Sequence, residues 1–286
     1  MNNVPVIREA DLHLAWAKKM AEPKLWEFRM PGARQVIMDS HGILNAIKPT
    51  GELIVFEQHN NQIVQPPTVI YGDHDEALLE RHFSWVPAGL EQKQCMLWRM
   101  LNLIKVPALR SFYHSVLIDD DIMLPFYRAK ASHHHHHDYE GGLFEHSFEV
   151  ATTAASMARQ YNLGHATVCI SYLAGLVHDL GKIRMYYNDQ DAGVCGQHES
   201  YTFMVLSRPL ESLRRLAPNL FEALSSAISV KTSRHQSQYL PETIVRMCDQ
   251  LSAEVAQCRK AFAGMPDYFW YAKAAQENRV YKRLPC

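Results

Sequence analysis

His178 and Asp179 stand side by side in Ala174-Gly-Leu-Val-His178-Asp179-Leu-Gly181-Lys182, at the end of an apolar stretch with helical spacing. An imidazole and a carboxylate in such surroundings are costly to bury unless something compensates them. A metal ion does so directly, taking the imidazole nitrogen and the carboxylate oxygen together. Two further residues of ligand type lie on segments that read as helical. His146 precedes His178 by 32 positions, in Gly141-Gly-Leu-Phe-Glu-His146-Ser, and Asp249 follows Asp179 by 70, in Val245-Arg-Met-Cys-Asp249-Gln-Leu. Asp249 neighbours the apolar positions Val245, Cys248 and Leu251, which predicts that it points inward or just off the core stripe and requires a partner. Two nitrogens and two oxygens suit Mn, Fe, Zn or Ni better than an all-oxygen Mg cage, without choosing among them. An ion held in this way keeps positions for water and substrate, so it could lower the pKa of a water and clamp a phosphoryl oxygen.

The elements that must position these residues lie mostly in the second half of the chain. Gly141 and Gly142 break the chain before a helix running to about Gln160, and Asn162-Leu-Gly164 reads as its stop. The next helix carries Val168, Ile170, Leu173, Ala174, Leu176 and Val177 and ends at Gly181. A loop is expected from Asn188 to Gly196, then helices over 198–206, 209–216, 218–230 and 241–262, three of them opened by proline. Residues 1–130 read as mixed. A helix is predicted over 12–20, strands over 35–38, 43–44 and 52–56, and helices over 76–86 and 90–104. The fold expectation is therefore mainly α: a helical metal-binding domain over 131–262, a small mixed α/β N-terminal region over 1–130 of unknown role, and a basic and aromatic tail over 263–286.

Composition narrows the function classes. The chain has 286 residues, 47% of them hydrophobic, with a formal net charge of -1. That is a core-forming protein with no global attraction to nucleic acid or membrane, so any nucleic-acid contact must come from a local basic patch. No apolar run reaches the roughly 20 residues of a membrane span, and the N-terminus lacks the basic and apolar regions of a signal peptide. A cytoplasmic location without membrane partners is the expectation. The six cysteines contain no Cys-x-x-Cys pair, which argues against a zinc ribbon or a disulfide scaffold. Of the sixteen histidines, ten fall between His114 and His198, around the candidate site. No P-loop, Gly-x-Gly-x-x-Gly or Gly-x-Ser-x-Gly is present.

The order His146, His178-Asp179, Asp249 resembles the HD superfamily of metal-dependent phosphohydrolases and phosphodiesterases, and the stretch from Leu176 to Ile183 resembles that family's second motif. The resemblance implies an HD-type helical bundle in which His146, His178, Asp179 and Asp249 ligate a divalent transition metal. It also maps the family's lysine to Lys182, either as a phosphate contact or simply as a cation at a helix C-terminus. The segment from Ser132 to Val150, with five consecutive histidines from His133 to His137 followed by Gly141-Gly-Leu and His146, resembles the TraI-type N-terminal domain of MobH-class relaxases. Its histidine triplet falls on His135, His136 and His137. A related segment occurs in bacterial HD-domain 3′→5′ exoribonucleases. Together the resemblances cover about 135–250.

These likenesses imply a DNA-nicking enzyme of conjugative transfer, with DNA and conjugation-machinery proteins as partners. A 3′→5′ nuclease or nucleotide phosphohydrolase is the nearest alternative. A non-catalytic DNA-binding or scaffold module with a structural metal is the alternative from another class. Either a water or one of thirteen tyrosines would attack. In the functional reading of the histidine run, His136 joins the metal and His137 acts in catalysis, partly protonated imidazoles suiting a phosphodiester anion. Against it stand a solvated polar turn and, less readily at an interior position, a purification tag. His198 is placed for a second metal or for a helix start. Dinuclear relatives would have a further histidine near Val230-Lys231, where this chain has none, and His235 stands in a looser context. Asp119-Asp120-Asp121 reads as a cap or turn rather than a cation site. From Arg259 onward, six basic residues against two acids interleave with Tyr268, Phe269, Trp270, Tyr271 and Tyr281. That pattern suits single-stranded nucleic acid or, alternatively, an amphipathic helix laying its aromatics on the core.

Overall fold

The computed structural model describes residues 12–59, 62–63, 65–132, 137–186, 197–229, 236–273 and 279–284. The chain divides into two compact units, Met1–Leu124 and Pro125–Cys286. It is mainly helical, with the strands gathered in a small N-terminal part and one C-terminal hairpin. Among the described residues no helix is long and apolar enough to cross a membrane.

In the first unit, β1 (Leu12–Lys19), β2 (Leu25–Met30), β3 (Ala33–Met38), β4 (Glu52–His59) and β5 (Gln62–Ile63) form an antiparallel sheet in the order β3-β2-β1-β4-β5, and β6 (Thr68–Val69) also pairs with β4. The predicted helix over 12–20 is therefore strand β1. Its residues 14–17 are all buried, because the strand is central, paired on both sides, and covered by α2 on one face. A strand buried on both faces loses the period-2 alternation that would identify it. Ile43 and Leu44, predicted as strand, lie in a turn instead. Asp39 fixes it, accepting from Ile43 N at 2.8 Å and Leu44 N at 3.0 Å. Three helices follow: α1 (Glu76–Trp85), capped by the Asp75 carboxylate, α2 (Glu91–Leu103), and α3 (Pro107–Leu117) with proline in its first turn. Asp119 accepts from Asp121 N at 3.0 Å at the start of α4 (Asp120–Arg128), so the acidic triplet opens a helix.

The second unit is helical apart from its last residues. It comprises α5 (Gly142–Gln160), α6 (His165–Val177), a short 3₁₀ turn (Leu180–Lys182), α7 (Ile183–Tyr186), α8 (His198–Val205), α9 (Ser207–Leu216), α10 (Pro218–Ile228) and α11 (Leu240–Phe262). Helices α5 and α6 pack as a pair, helped by the buried stripe Ala151, Ala154, Ala155 and Ala158, and α11 lies against both. Small residues on a facing stripe let helix axes approach closely. The expected loop over 188–196 lies outside the described residues. The predicted tail is a hairpin of β7 (Tyr271–Lys273) and β8 (Val280–Lys282), with β7 against α11, and not an amphipathic helix.

Candidate metal centre

Four elements deliver the side chains. Helix α5 starts at the double glycine for two backbone reasons. Gly141 holds φ +83°, a region costly for residues with a side chain. A Cβ on Gly142 would come within 2.2 Å of the His137 carbonyl oxygen. That carbonyl also accepts from Ala131 N at 3.0 Å, so His137, itself at φ +56°, is folded back onto the start of α5. One turn along, His146 faces the core of the unit, 1% exposed. Helix α6 ends at Val177, and His178 and Asp179 lead into the 3₁₀ turn at 8% and 2% exposure. Asp249 comes from the middle of α11.

These four converge. His146 Nε2 lies 3.4 Å from Asp179 Oδ2 and 3.1 Å from Asp249 Oδ1. His178 Nε2 lies 3.4 Å from Asp179 Oδ2 and 3.6 Å from Asp249 Oδ1. Ligand atoms of His146, His178 and Asp179 all fall within 4.8 Å of one another, a spacing that one ion could bridge. Asp249 stands just off the core stripe, one of the two placements its neighbours predicted. Leu251 is 52% exposed, and the Asp249 side chain is half exposed at the rim, because α11 presents only one stripe to α5 and α6.

The histidine tautomers fit metal binding. His178 Nδ1 donates to the Gly175 carbonyl at 2.8 Å, which leaves Nε2 as the acceptor. That buried Nε2 has no hydrogen-bond partner among the described residues. An orphaned buried imidazole nitrogen facing two carboxylates is the atom a cation would satisfy. His146 Nδ1 donates to Ser252 Oγ at 3.1 Å, and Ser252 Oγ donates to Glu149 Oε2 at 3.2 Å. Sequence reasoning missed Ser252 and Glu149. The signal was available in the spacing, since each follows a candidate ligand by three residues on the same helix, Asp249 to Ser252 and His146 to Glu149.

Two cationic groups converge on Asp179. Lys182 Nζ lies 2.6 Å from Oδ2 and His198 Nε2 lies 2.9 Å from Oδ1. Lys182 thus neutralises the buried carboxylate at the wall of the cleft instead of projecting as a free helix-terminal charge. The carboxylate is held far below its usual range. Burial opposes this, but His178, Lys182 and the bonds from His146 and His198 outweigh it. Asp249 is likewise lowered, its partial burial overcome by the neighbouring imidazoles of His146 and His178. His146 is pushed up to about 9, burial being outweighed by Asp179 and Asp249.

His198 is brought in by a backbone joint. Gly181 N donates to Thr202 Oγ1 at 2.8 Å, and that hydroxyl points to the carbonyls of His178 at 3.0 Å and His198 at 3.1 Å. A Cβ on Gly181 would lie 1.8 Å from the His198 carbonyl oxygen, so glycine is required for α8 to dock. His137 sits beside the cluster, with its ring centroid 5.6 Å from that of His146, and it bonds the Tyr139 hydroxyl at 2.9 Å. His136, with 133–135 of the run, and His235 lie outside the described residues.

The cluster opens onto a cleft of about 420 Å³ whose lining includes His178, Lys182, His198, Arg246 and Asp249. Arg246 is a second cation that the sequence did not single out, although it stands three residues before Asp249. A search of curated proteins and of solved structures returned no match. Residues 143–254 match the family model of the HD domain, a span that starts at the α5 N-terminus and contains all four converging residues; HD domains bind divalent metals and are generally metal-dependent hydrolases.

Proposed function

We propose that the protein is a metal-dependent phosphodiesterase acting on nucleic acid and that it nicks DNA for conjugative transfer. The observation that carries the phosphodiesterase reading is the meeting of the His146, His178, Asp179 and Asp249 side chains beside a cleft that Lys182 and Arg246 line together with Glu199 and Glu242. In this reading those four residues hold the ion. A divalent metal there would supply Lewis-acid polarisation of a phosphoryl oxygen and a water of lowered pKa. Lys182 and Arg246 line the same cleft and give an entering phosphodiester anion cationic partners. His198 lines the same cleft and bonds Asp179.

Water is the favoured nucleophile. Among the described residues no tyrosine lines the cleft, and the Tyr139 hydroxyl donates to Glu145 Oε2 at 2.5 Å. Its pKa is pushed up by burial and by Glu145, which makes it a poor attacking group. The DNA-nicking reading is supported by the resemblance of 132–150 to the relaxase segment, and by the structure seating His137 beside His146. In it His137 assists catalysis, while His136 and His198 are further candidate ligands.

One observation favours a second reading. A cleft of about 420 Å³ is in the range of small-molecule sites, which suits a nucleotide phosphohydrolase. The deciding experiment incubates the Mn²⁺-loaded protein with supercoiled origin DNA, single-stranded DNA and RNA, and free nucleotides, with Asp179→Asn in parallel. Nicked circles formed by the wild type alone support the proposal. Turnover of nucleotides only would transfer it to the second reading. Silence on every substrate, or equal activity of Asp179→Asn, would overturn both.

A further inference from the structure

We propose that the C-terminal hairpin is a docking platform for single-stranded nucleic acid, separate from the metal centre. Four consecutive aromatics lead into β7, and all are exposed: Tyr268 at 80%, Phe269 at 41%, Trp270 at 55% and Tyr271 at 52%. Large aromatics normally supply core area, so a run left in solvent on an ordered framework needs an occupant.

The hairpin has two unlike faces. On the inner face Ala272 is 2% exposed, and its cross-strand partner Tyr281 reaches α11, where its hydroxyl donates to Gln257 Oε1 at 2.8 Å. Arg279 pairs with Glu254 on the same helix at 2.5 Å. The outer face carries Tyr271 opposite Lys282 and Lys273 opposite Val280. The preceding turn is tied down by Arg283, which donates to the carbonyls of Pro266 and Phe269 and stacks over Phe262. The platform is therefore held in place before any ligand arrives.

Its charge identifies the occupant. Lys273 and Lys282 form no ion pair among the described residues, and Lys282 Nζ sits 5.3 Å from the Trp270 ring centroid. Ammonium groups interleaved with open aromatic faces match a strand whose phosphates alternate with unstacked bases. A duplex hides its base faces and fits less well, and an apolar protein partner would leave the lysines unmatched. The platform leads directly from α11, whose Asp249 and Phe262 are thirteen residues apart, about 20 Å along a helix. The proposal deepens the nucleic-acid reading above, but binding here requires neither metal nor turnover.

The test is fluorescence anisotropy of the full chain in EDTA, with single-stranded oligothymidylate and oligouridylate of about 15 nucleotides and a duplex of equal length. Both single strands should bind, and more tightly than the duplex. Trp270→Ala/Tyr271→Ala should weaken binding on the order of tenfold, the scale of lost base stacking. Lys273→Glu/Lys282→Glu should weaken it and reduce its salt dependence by about two counterions. Thermal unfolding checks that the variants remain folded. Unchanged binding by both hairpin double variants would overturn the platform. So would a wild type that binds anionic phospholipid vesicles and ignores oligonucleotides. Binding here together with silence of the Mn²⁺-loaded protein on every substrate would leave the platform standing and refute the enzymatic reading alone.

Discussion

Metal binding should expel a proton from His146, and the structure sets the size of the effect. The His146 Nδ1 proton is committed to Ser252, so the additional proton of the metal-free state rides on Nε2, between Asp179 and Asp249, with a pKa near 9. A ligating imidazole must be neutral. At pH 7 the ion therefore works against about two pKa units, roughly 2.7 kcal/mol at 1.36 kcal/mol per unit. Apparent Mn²⁺ affinity should rise about tenfold per pH unit above 7 and level off near 9. Titration calorimetry in two buffers of different ionisation enthalpy should count at least one proton released per ion at pH 7.5. The sign carries over to stability. The folded pKa is raised above the usual 6.5, so the native metal-free protein holds the extra proton, and this stabilisation is present below about pH 6.5 and lost as pH rises through about 9. Mn²⁺-saturated protein should lack that decline. A flat affinity from pH 7 to 8.5 with no proton released would refute this account of His146.

Three further outcomes are expected. Ser252→Ala should lower Mn²⁺ affinity by about 10- to 100-fold, with little change in thermal stability, because it frees the His146 ring without opening the core; equilibrium dialysis measures it. Gly181→Ala should destabilise the second unit by about 1–3 kcal/mol in urea melts, since the new methyl meets the His198 carbonyl, and a cost near zero would contradict the described joint. In the first unit, burial lowers the pKa of His74 to about 4. Because the unfolded chain then takes up the proton first, stability is present above about pH 6.5 and lost as pH falls toward 4, and His74→Phe should flatten that acid limb in denaturant titrations.

The doublet was legible because its chemistry is local: an imidazole and a carboxylate ending an apolar helix announce themselves within nine residues. His146 and Asp249 were legible through their neighbours and through family resemblance. Ser252 and Glu149 carried only their three-residue spacing from Asp249 and His146, and Thr202 carried no local signal, since their partners lie 106, 103 and 24 residues away and only folding brings them together. The helix bounds of the second unit followed from glycine and proline punctuation, which acts through the backbone. The misread β1 shows the opposite limit. Leu-His-Leu-Ala-Trp-Ala has no polar face to declare its period, and cross-strand pairing, invisible in sequence, decided its conformation. The tail's composition was plain, but its conformation was settled by the anchoring of Tyr281 and Arg279 on α11.

The Gly181–Thr202 joint has a consequence for how this domain can vary. One threonine hydroxyl ties the carbonyl of His178 to the first turn of α8, so the two sides of the cleft are registered to each other through space and not through the chain that connects them. The spacing of His178 and Asp179 from His198 therefore rests on Gly181 and Thr202. A change at either residue would loosen both walls of the cleft at once.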